Sequence, residues 1–235
     1  MVSEPSEHRQ ERAYRSEYEK LFYPLGVLLS KYVSANTISY LGVVFSIISM
    51  IAFLYSRNDE YIFIYIAVLF LGISALMDML DGSVARAEKA KGKKIGKYGA
   101  LLDPVADRYA EVFFLIGIML SKYSPPEWVL FCFAGMIMAS YTRARAESLG
   151  PDAHGKKLFI SRGIERKEKL LILVVGALIE ALLIQTQNKS LWPPIEYGEF
   201  IIGPLAWGVM IVAILSHIAA FQRLNLAKKY LVELD

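Results

Sequence analysis

Four aspartates between residues 78 and 107 have the type and spacing needed for chemistry. They form two pairs, Asp78 with Asp81 and Asp103 with Asp107, separated by three and four positions. Residues at these spacings share one face of an α-helix. Two such helices joined by a loop would bring all four carboxylates together. Hard oxygen ligands in this number suit Mg²⁺ or Mn²⁺. We therefore predict a divalent-metal site with ligands enough for two ions.

Residues with short side chains accompany the aspartates on the same helix faces. Gly82 follows Asp78 by four positions, Ala85 follows it by seven, and Gly99 precedes Asp103 by four. Positions without bulky side chains let a substrate lie directly against the backbone. The pattern therefore predicts a substrate cavity beside the carboxylates.

The setting of the aspartates is apolar. Tyr61–Met77 precedes them and Ala110–Leu120 follows them, and both segments are nearly free of charge. An aspartate at the centre of a membrane helix costs about 3 kcal/mol on insertion scales, so four unpaired ones would cost on the order of 10 kcal/mol. Salt bridges to Arg86 and Arg108 are the alternative to metal binding. Two arginines cannot neutralise four acids, however, and salt bridges would not require the glycines.

The composition predicts an all-α integral membrane protein. Of 235 residues, 55% are hydrophobic and the mean hydropathy is +0.38, which is too apolar for an ordinary soluble domain. Cys132 is the only cysteine, which excludes intrachain disulfides. Runs of apolar residues indicate six transmembrane helices, at Asn36–Tyr55, Tyr61–Met79, Ala100–Leu120, Trp128–Tyr141, Leu170–Ile184 and Phe200–Phe221.

The distribution of positive charge predicts the orientation in the membrane. Of the 26 Lys and Arg residues, 23 fall on one side of the six predicted helices. Arg57, Lys122 and Lys189 lie on the other side. Since cytoplasmic loops carry an excess of Lys and Arg, we expect both termini and the aspartates to face the cytoplasm of a multi-pass plasma-membrane protein.

Residues 6–32 are predicted to form a juxtamembrane amphipathic helix. Apolar side chains recur there at helical spacing, with charged residues on the opposite face. Such a helix could lie in the membrane interface or pack against the six-span bundle, predicted to cover residues 35–226. No internal repeat or linker is visible, so residues 1–235 are predicted to form a single domain. The apolar positions are Tyr14, Tyr18, Leu21, Phe22, Leu25, Leu28, Leu29 and Tyr32.

The pattern D-x-x-D-G-x-x-A-R…G-x-x-x-D-x-x-x-D resembles the signature of the CDP-alcohol phosphotransferases. Members of that family are six-span membrane enzymes that transfer a phosphatidyl-type group from a CDP-activated donor to an alcohol. One difference is visible: twelve residues separate Arg86 from Gly99, where the family usually has about eight. The additional residues fall within Glu88–Lys94, a basic insertion that leaves both aspartate pairs intact. Gly96 occupies a place where the family often has Thr or Ser.

The entry to the first predicted span is also similar to the family. Asn36 and Ser39 occupy the Asn and Thr positions of the family's P-N-x-x-T-x-x-G pattern, while Ala35 replaces the proline. A helix N-cap is a compatible alternative role for Asn36. The resemblance implies that the CDP-lipid is bound by Asn36, Thr37, Ile38, Ser39, Gly82, Ala85, Arg86, Gly96 and Gly99.

The acceptor is indicated by a closer resemblance to the phosphatidylinositol phosphate synthases. Three segments are similar to that subfamily: Tyr141–Glu147, Gly163–Arg166 and Gln222-Arg223. In the subfamily, three basic residues bind the phosphate of inositol phosphate. Their counterparts here are Arg143, Arg166 and Arg223. The alternative is that these arginines are cytoplasmic anchors of the spans.

The resemblance implies a mechanism and partners. Two Mg²⁺ or Mn²⁺ ions would be held by the four aspartates, and Asp107 would take the proton from the acceptor hydroxyl as CMP leaves. The lipid could be built on diacylglycerol or archaeol, and a homodimer is implied. Alternatives within the family are phosphatidylglycerol phosphate, phosphatidylserine and di-inositol phosphate synthases. A UbiA-type prenyltransferase is disfavoured because it needs two separated Asp-rich motifs, and an ion-coupled transporter because it usually has inverted repeats.

Overall fold

Seven helices and a short hairpin make up the described part of the chain. The computed structural model describes residues 22–58, 60–93, 97–149, 164–187 and 195–232. In chain order the elements are α1 (22–29), α2 (Ala35–Tyr55) with a 3₁₀ turn (Ser56–Asn58), α3 (Tyr61–Ala90), α4 (Lys97–Leu120), α5 (Pro126–Ser148), α6 (Arg166–Thr186), β1 (Ile195–Tyr197), β2 (Phe200–Ile202) and α7 (Pro204–Val232).

Local chemistry fixes several helix ends. α5 begins at Pro126, where a missing N–H costs nothing because the first turn has no helical acceptor. α6 begins with a capping box, in which Glu165 and Glu168 each bind the other's backbone N–H. It ends at Gln187, whose φ of 51° stops the helix in the left-handed region.

The chain divides into two compact units, and the first contains the aspartates. It takes the described residues of Met1–Ile48 together with Phe70–Glu111. Its core is formed by Ile38, Leu80 and Val84, which are buried against partly buried residues that include Phe22 and Leu29 of α1. Between helices in a membrane, such side chains stabilise the unit through close van der Waals packing.

Glycines allow close helix contacts within the first unit. A Cβ on Gly26 of α1 would come within 2.8 Å of Ser83 of α3, so only glycine permits this approach. Gly42 of α2 faces Met77, whose Cβ would lie 3.3 Å from an added Cβ. Beside it, Ser74 Oγ donates to the Gly42 carbonyl at 2.7 Å. The hydroxyl therefore joins α3 to α2 through the backbone.

The second unit comprises Ser49–Leu69 and the described residues of Val112–Asp235. Its core includes the fully buried Phe53 and Phe114, whose rings meet edge to face with centroids 5.4 Å apart. α6 also contacts the start of α7, where the buried Glu180 accepts a hydrogen bond from the Leu205 backbone N–H at 3.2 Å. A Cβ on Gly203 would overlap the Glu180 carboxylate, so a larger residue at this corner would displace that side chain from the Leu205 N–H.

Four helices are long and apolar enough to cross a membrane, by length and composition among the described residues. They are Ala35–Asn58, Tyr61–Ala90, Arg166–Thr186 and Pro204–Lys229. α4 and α5 are of similar length but carry more charged side chains, α4 near its start and α5 at both ends. The mainly helical membrane fold agrees with the sequence prediction, whereas the count of six spans stays a prediction.

Two details differ from the sequence expectation. The last helix begins at Pro204 and not at Phe200, because Phe200–Ile202 pairs as an antiparallel strand with Ile195–Tyr197.

The predicted helix at 6–32 is described only from residue 22. There α1 packs Phe22 and Leu29 inward. The large hydrophobic residues that are exposed between 22 and 32 are Tyr23, Leu25, Leu28 and Tyr32. Tyr14, Tyr18 and Leu21 lie outside the described residues, so the amphipathic helix remains a prediction.

Candidate active site

Three of the four aspartates converge. Asp78 of α3 and Asp103 and Asp107 of α4 each offer one carboxylate oxygen, and these oxygens lie within 4.8 Å of one another. Two oxygens that bind one divalent ion at 2.0–2.6 Å can be at most about 5 Å apart. Asp78 and Asp107 are partly buried and Asp103 is exposed. The three residues thus fit the requirements of a Mg²⁺ or Mn²⁺ site.

Asp81 has a different environment from the other three. It is 7% exposed, and its Oδ2 accepts a hydrogen bond of 2.5 Å from the hydroxyl of Ser39 on α2. A buried carboxylate needs such a donor or a cation, since burial without either is costly. Asp81 does not belong to the converging group of three. Its role as a metal ligand therefore stays a prediction.

A cavity of about 280 Å³ lies in the first unit beside the aspartates. Two of the aspartates, Asp81 and Asp103, form part of its wall. The predicted donor-binding residues that line it are Asn36, Ser39, Gly82, Ala85 and Gly99. The structure thus brings these side chains, which come from α2, α3 and α4, to one concave surface.

Other predicted donor-binding residues have different surroundings. Ile38 is 3% exposed in the apolar core. Thr37 is exposed, and its hydroxyl lies 2.9 Å from that of Ser34. The Nη2 of Arg86 donates to Ser83 Oγ at 3.1 Å. Gly96 lies outside the described residues. Donor binding by these four residues stays a prediction.

Two glycines in the cavity wall serve different purposes. An added Cβ on Gly82 would meet only the Nη1 of Arg86, at 3.5 Å, which is ordinary contact. The protein itself therefore does not need glycine at position 82, and the space is left open to the cavity. An added Cβ on Gly99 would lie 3.2 Å from the side-chain oxygen of Asn36. Gly99 therefore lets α4 approach the polar start of α2.

Several wall residues were missed by the sequence analysis. Tyr98 is half exposed, and its hydroxyl lies 2.5 Å from that of Tyr40 on α2. Because Tyr98 precedes Gly99, which was predicted to lie at the cavity, its place in the wall could have been predicted. Lys93 follows Gly92, a residue type that commonly ends helices, which indicates the end of α3 but not the position of the lysine side chain. The full set of missed residues is Ser34, Ala35, Glu88, Lys93, Tyr98 and Ala100.

The three predicted acceptor-binding arginines lie in the second unit, each on a different helix. Arg143 of α5 is paired with Glu147 at 2.9 Å and its side chain is 40% exposed. Arg166 is the first residue of α6 and is partly buried. Arg223 of α7 is 7% exposed, and its Nη1 donates to the Ala139 carbonyl at 2.8 Å. Arg223 therefore also fastens α7 to α5.

Comparison with known proteins identifies the family. The sequence model of the CDP-alcohol phosphatidyltransferases matches residues 32–219, which is most of the chain. The chain belongs to the CDP-alcohol phosphatidyltransferase family. It is similar to the archaetidylinositol phosphate synthase of Pyrococcus horikoshii, with 30% identity over 201 residues that cover 83% of this chain and 89% of the relative. The resemblance inferred from the Asp78–Asp107 pattern is thus confirmed.

Solved structures share the fold of this CDP-alcohol phosphatidyltransferase. The Mycobacterium tuberculosis phosphatidylinositol phosphate synthase with CDP-DAG bound superposes with a TM-score of 0.63 at 24% identity, over 88% of this chain and 94% of that chain. A structure of the same synthase in complex with manganese and citrate gives a TM-score of 0.63 at 23% identity, over 88% of each chain. The enzyme is therefore a membrane-associated transferase of phospholipid biosynthesis.

Proposed function

We propose that this enzyme transfers a phosphatidyl-type group from a CDP-lipid to inositol phosphate and releases CMP. The observation that carries the proposal is the convergence of Asp78, Asp103 and Asp107 within the first unit, which also contains the glycine-lined cavity. The lipid part of the donor is diacylglycerol or archaeol. The archaetidylinositol phosphate synthase of P. horikoshii is the relative that supports inositol phosphate as acceptor.

Mg²⁺ or Mn²⁺ is the proposed cofactor, with two ions per site held by Asp78, Asp81, Asp103 and Asp107. Four carboxylates carry enough charge for two divalent ions. When bound, these ions supply positive charge that neutralises the donor diphosphate and the departing CMP. The convergence of Asp78, Asp103 and Asp107 supports this proposal, and Asp81 is included because its spacing of three from Asp78 is compatible with one helix face.

Asp107 is the proposed general base. Its carboxylate takes the proton of an acceptor hydroxyl while that oxygen forms a bond to the lipid-linked phosphorus. The bond from this phosphorus to the oxygen of CMP breaks, and the electron pair leaves with CMP. Asp107 is partly buried and belongs to the converging group of carboxylates, which supports this role.

Donor recognition is assigned to the small and polar residues at the cavity. Gly82, Ala85 and Gly99 leave space for the nucleotide to pack against the helices. Asn36 and Ser39 offer polar groups from α2. Completing the proposed set are Thr37, Ile38, Arg86 and Gly96.

Acceptor recognition is assigned to Arg143, Arg166 and Arg223. A phosphomonoester requires fixed cations, and guanidinium groups bind phosphate oxygens through two parallel hydrogen bonds. Arg143 and Arg166 are at least partly accessible. Arg223 is held in place by the Ala139 carbonyl, which limits the number of its conformations.

The proposed arrangement in the membrane follows from the helices and the charge distribution. α2 to α7 form six spans, so the lipid tails of the donor stay in the bilayer. The termini and the active site face the cytoplasm, since 23 of the 26 Lys and Arg residues lie on that side of the predicted spans. The enzyme is proposed to be a single-domain plasma-membrane protein that works as a homodimer, with residues 6–32 as an interfacial helix.

A panel of acceptors tests this proposal. Purified enzyme is mixed with CDP-diacylglycerol or CDP-archaeol and, in turn, inositol phosphate, inositol, glycerol phosphate or serine. We expect CMP release to be fastest with inositol phosphate, together with a phospholipid product of matching mass. Turnover with glycerol phosphate or serine alone would refute the acceptor. No CMP release with any acceptor would refute the reaction.

Substitution of the arginines tests the acceptor site. Loss of one charge-assisted contact costs about 1.5–3 kcal/mol, so Arg143→Ala and Arg166→Ala should raise the KM for inositol phosphate about ten- to a hundred-fold. The KM for the donor should change little. Arg145→Ala is the matched control, because Arg145 is an exposed arginine of the same helix. Arg223→Ala should also lower the melting temperature. Unchanged acceptor KM values in all three variants would leave these arginines as membrane anchors.

A further inference from the structure

The basic insertion begins as an ordered cap on α3. The Gly92 N–H donates to the Lys89 carbonyl at 2.9 Å, and the Lys93 N–H donates to the Glu88 carbonyl at 3.1 Å. Gly92 has a φ of 82°. Two hydrogen bonds of this kind around a left-handed glycine form a Schellman motif, which turns the chain back over the last helical turn. The cap therefore fixes the backbone of Lys93.

This cap brings a cation to the cavity wall. The Nζ of Lys93 lies 2.6 Å from Oε1 of Glu88, and both residues line the cavity. The side chain of Glu88 is 15% exposed and that of Lys93 is 63% exposed. A second lysine of the cap, Lys91, donates to Ser30 Oγ at 2.8 Å, which ties the cap to the end of α1.

The charge balance of the wall gives Lys93 its significance. Three carboxylates line the cavity, those of Asp81, Glu88 and Asp103, and Lys93 is the one cation among the described lining residues. An anionic ligand that enters this cavity is repelled by the carboxylates wherever no metal ion neutralises them. The ammonium group of Lys93 is therefore the protein's own positive charge for such a ligand.

We propose that Lys93 is a donor-binding residue that holds an anionic oxygen of the CDP-lipid diphosphate. Lysine suits this task because its ammonium group is a compact charge on a flexible stem. It can turn from Glu88 to a phosphate oxygen while the Schellman cap keeps its backbone in place. The inference rests on the proposed function, since it assumes a CDP-lipid donor, and it gives the basic insertion a role in binding that donor.

A structural role is the competing explanation, in which Lys93 only neutralises Glu88. The two explanations predict different donor binding for the double variant that combines Glu88→Gln with Lys93→Ala. If Lys93 serves only to neutralise Glu88, removing both charges restores donor binding. If Lys93 binds the donor, the double variant keeps a higher donor KM than Glu88→Gln alone, because both variants have lost the same repelling carboxylate.

Steady-state CMP release at saturating acceptor, with the donor varied, tests the proposal. We expect Lys93→Ala to raise the donor KM about tenfold, the lower end of the range for one charge-assisted contact. The acceptor KM should not change. Lys93→Arg should restore most of the donor affinity, because it restores the charge. Lys89→Ala is the matched control, since it removes the same charge from the exposed end of α3 outside the cavity, and it should behave as wild type.

Three results would overturn the inference: an unchanged donor KM in Lys93→Ala, a rise in the acceptor KM instead, or a donor KM in the double variant equal to that of Glu88→Gln alone. Competition by cytidine and by cytidine diphosphate separates nucleoside from phosphate contacts. Lys93→Ala should weaken inhibition by cytidine diphosphate and leave inhibition by cytidine unchanged. Wild-type enzyme that releases no CMP from any CDP-lipid would instead refute the proposed function, which is a distinguishable outcome.

Discussion

The substitution Gly82→Ala tests whether glycine at position 82 is needed for the stability of the fold or for the space that the substrate occupies. The added Cβ would meet only Arg86 Nη1, at 3.5 Å, so the fold accommodates it. Alanine is also favoured over glycine inside a helix by about 1 kcal/mol. The variant should therefore be as stable as wild type or slightly more stable. Gly72→Ala in the same helix is the matched control, because nothing lies within 4 Å of its added Cβ.

Activity should respond differently to the two substitutions. A methyl group takes a volume similar to that of a water molecule, about 30 Å³, from a cavity of about 280 Å³. Forcing an extra methyl group into a filled site costs about 1–3 kcal/mol. Since 1.4 kcal/mol corresponds to a factor of ten, kcat/KM for the CDP-lipid should fall about five- to 150-fold in Gly82→Ala. Gly72→Ala should keep wild-type kinetics.

Melting temperature in detergent and CMP release with varied donor measure the two effects. The reasoning predicts an unchanged or higher melting temperature for both variants and a loss of donor kcat/KM for Gly82→Ala alone. Full activity of Gly82→Ala would refute the assignment of this part of the cavity to the donor. A melting temperature several degrees below wild type would refute the structural argument.

Three further predictions concern the metal ions, the base and the fold. Chelation by EDTA should abolish CMP release, and added Mg²⁺ or Mn²⁺ should restore it; steady turnover in chelator would contradict the metal assignment. Asp107→Asn should reduce CMP release to background while CDP-lipid binding, measured by calorimetry, stays within a few-fold of wild type; substantial turnover would remove Asp107 as base. Gly203→Ala should destabilise by about 1–3 kcal/mol, because the added Cβ would displace the buried Glu180 carboxylate from the Leu205 N–H. Its melting temperature should therefore be lower than that of the Gly208→Ala control, and equal values would contradict this.

The pairing of Asp103 with Asp107 could be predicted because it depends on helical periodicity alone, whereas the approach of Asp78 to this pair depends on packing between α3 and α4. Residues four positions apart lie on the same face of a helix, so Asp103 and Asp107 share a face of α4 wherever that helix begins. Charged groups in an apolar setting are costly when isolated, which favours their clustering. The same argument located Gly82 and Gly99 at the cavity, where the structure places them. Local spacing was sufficient to place each glycine beside an aspartate, since Gly82 and Gly99 each lie four positions from an aspartate of the same helix.

Other features depend on contacts that no local pattern contains. The hydrogen bond from Ser39 to Asp81 joins residues 42 positions apart in sequence, so spacing could not distinguish Asp81 from Asp78. The short strand at Phe200–Ile202 was assigned to the last helix, because three apolar residues fit either structure. The placement of Lys93 required the left-handed backbone of Gly92, which is a property of the folded cap.

Two hydroxyl hydrogen bonds between α2 and α3 fix the register of these two helices along their length. Ser74 and Asp81 lie seven residues apart on α3, and they are bonded to Gly42 and Ser39 of α2. Sliding one helix by a turn, about 5.4 Å, would break both bonds and leave a buried carboxylate unpaired. The two hydrogen bonds therefore hold α2 and α3 in a single register. Under the proposed function this register keeps Asn36 and Ser39 of α2 beside Gly82 and Ala85 of α3 in the wall of the donor cavity.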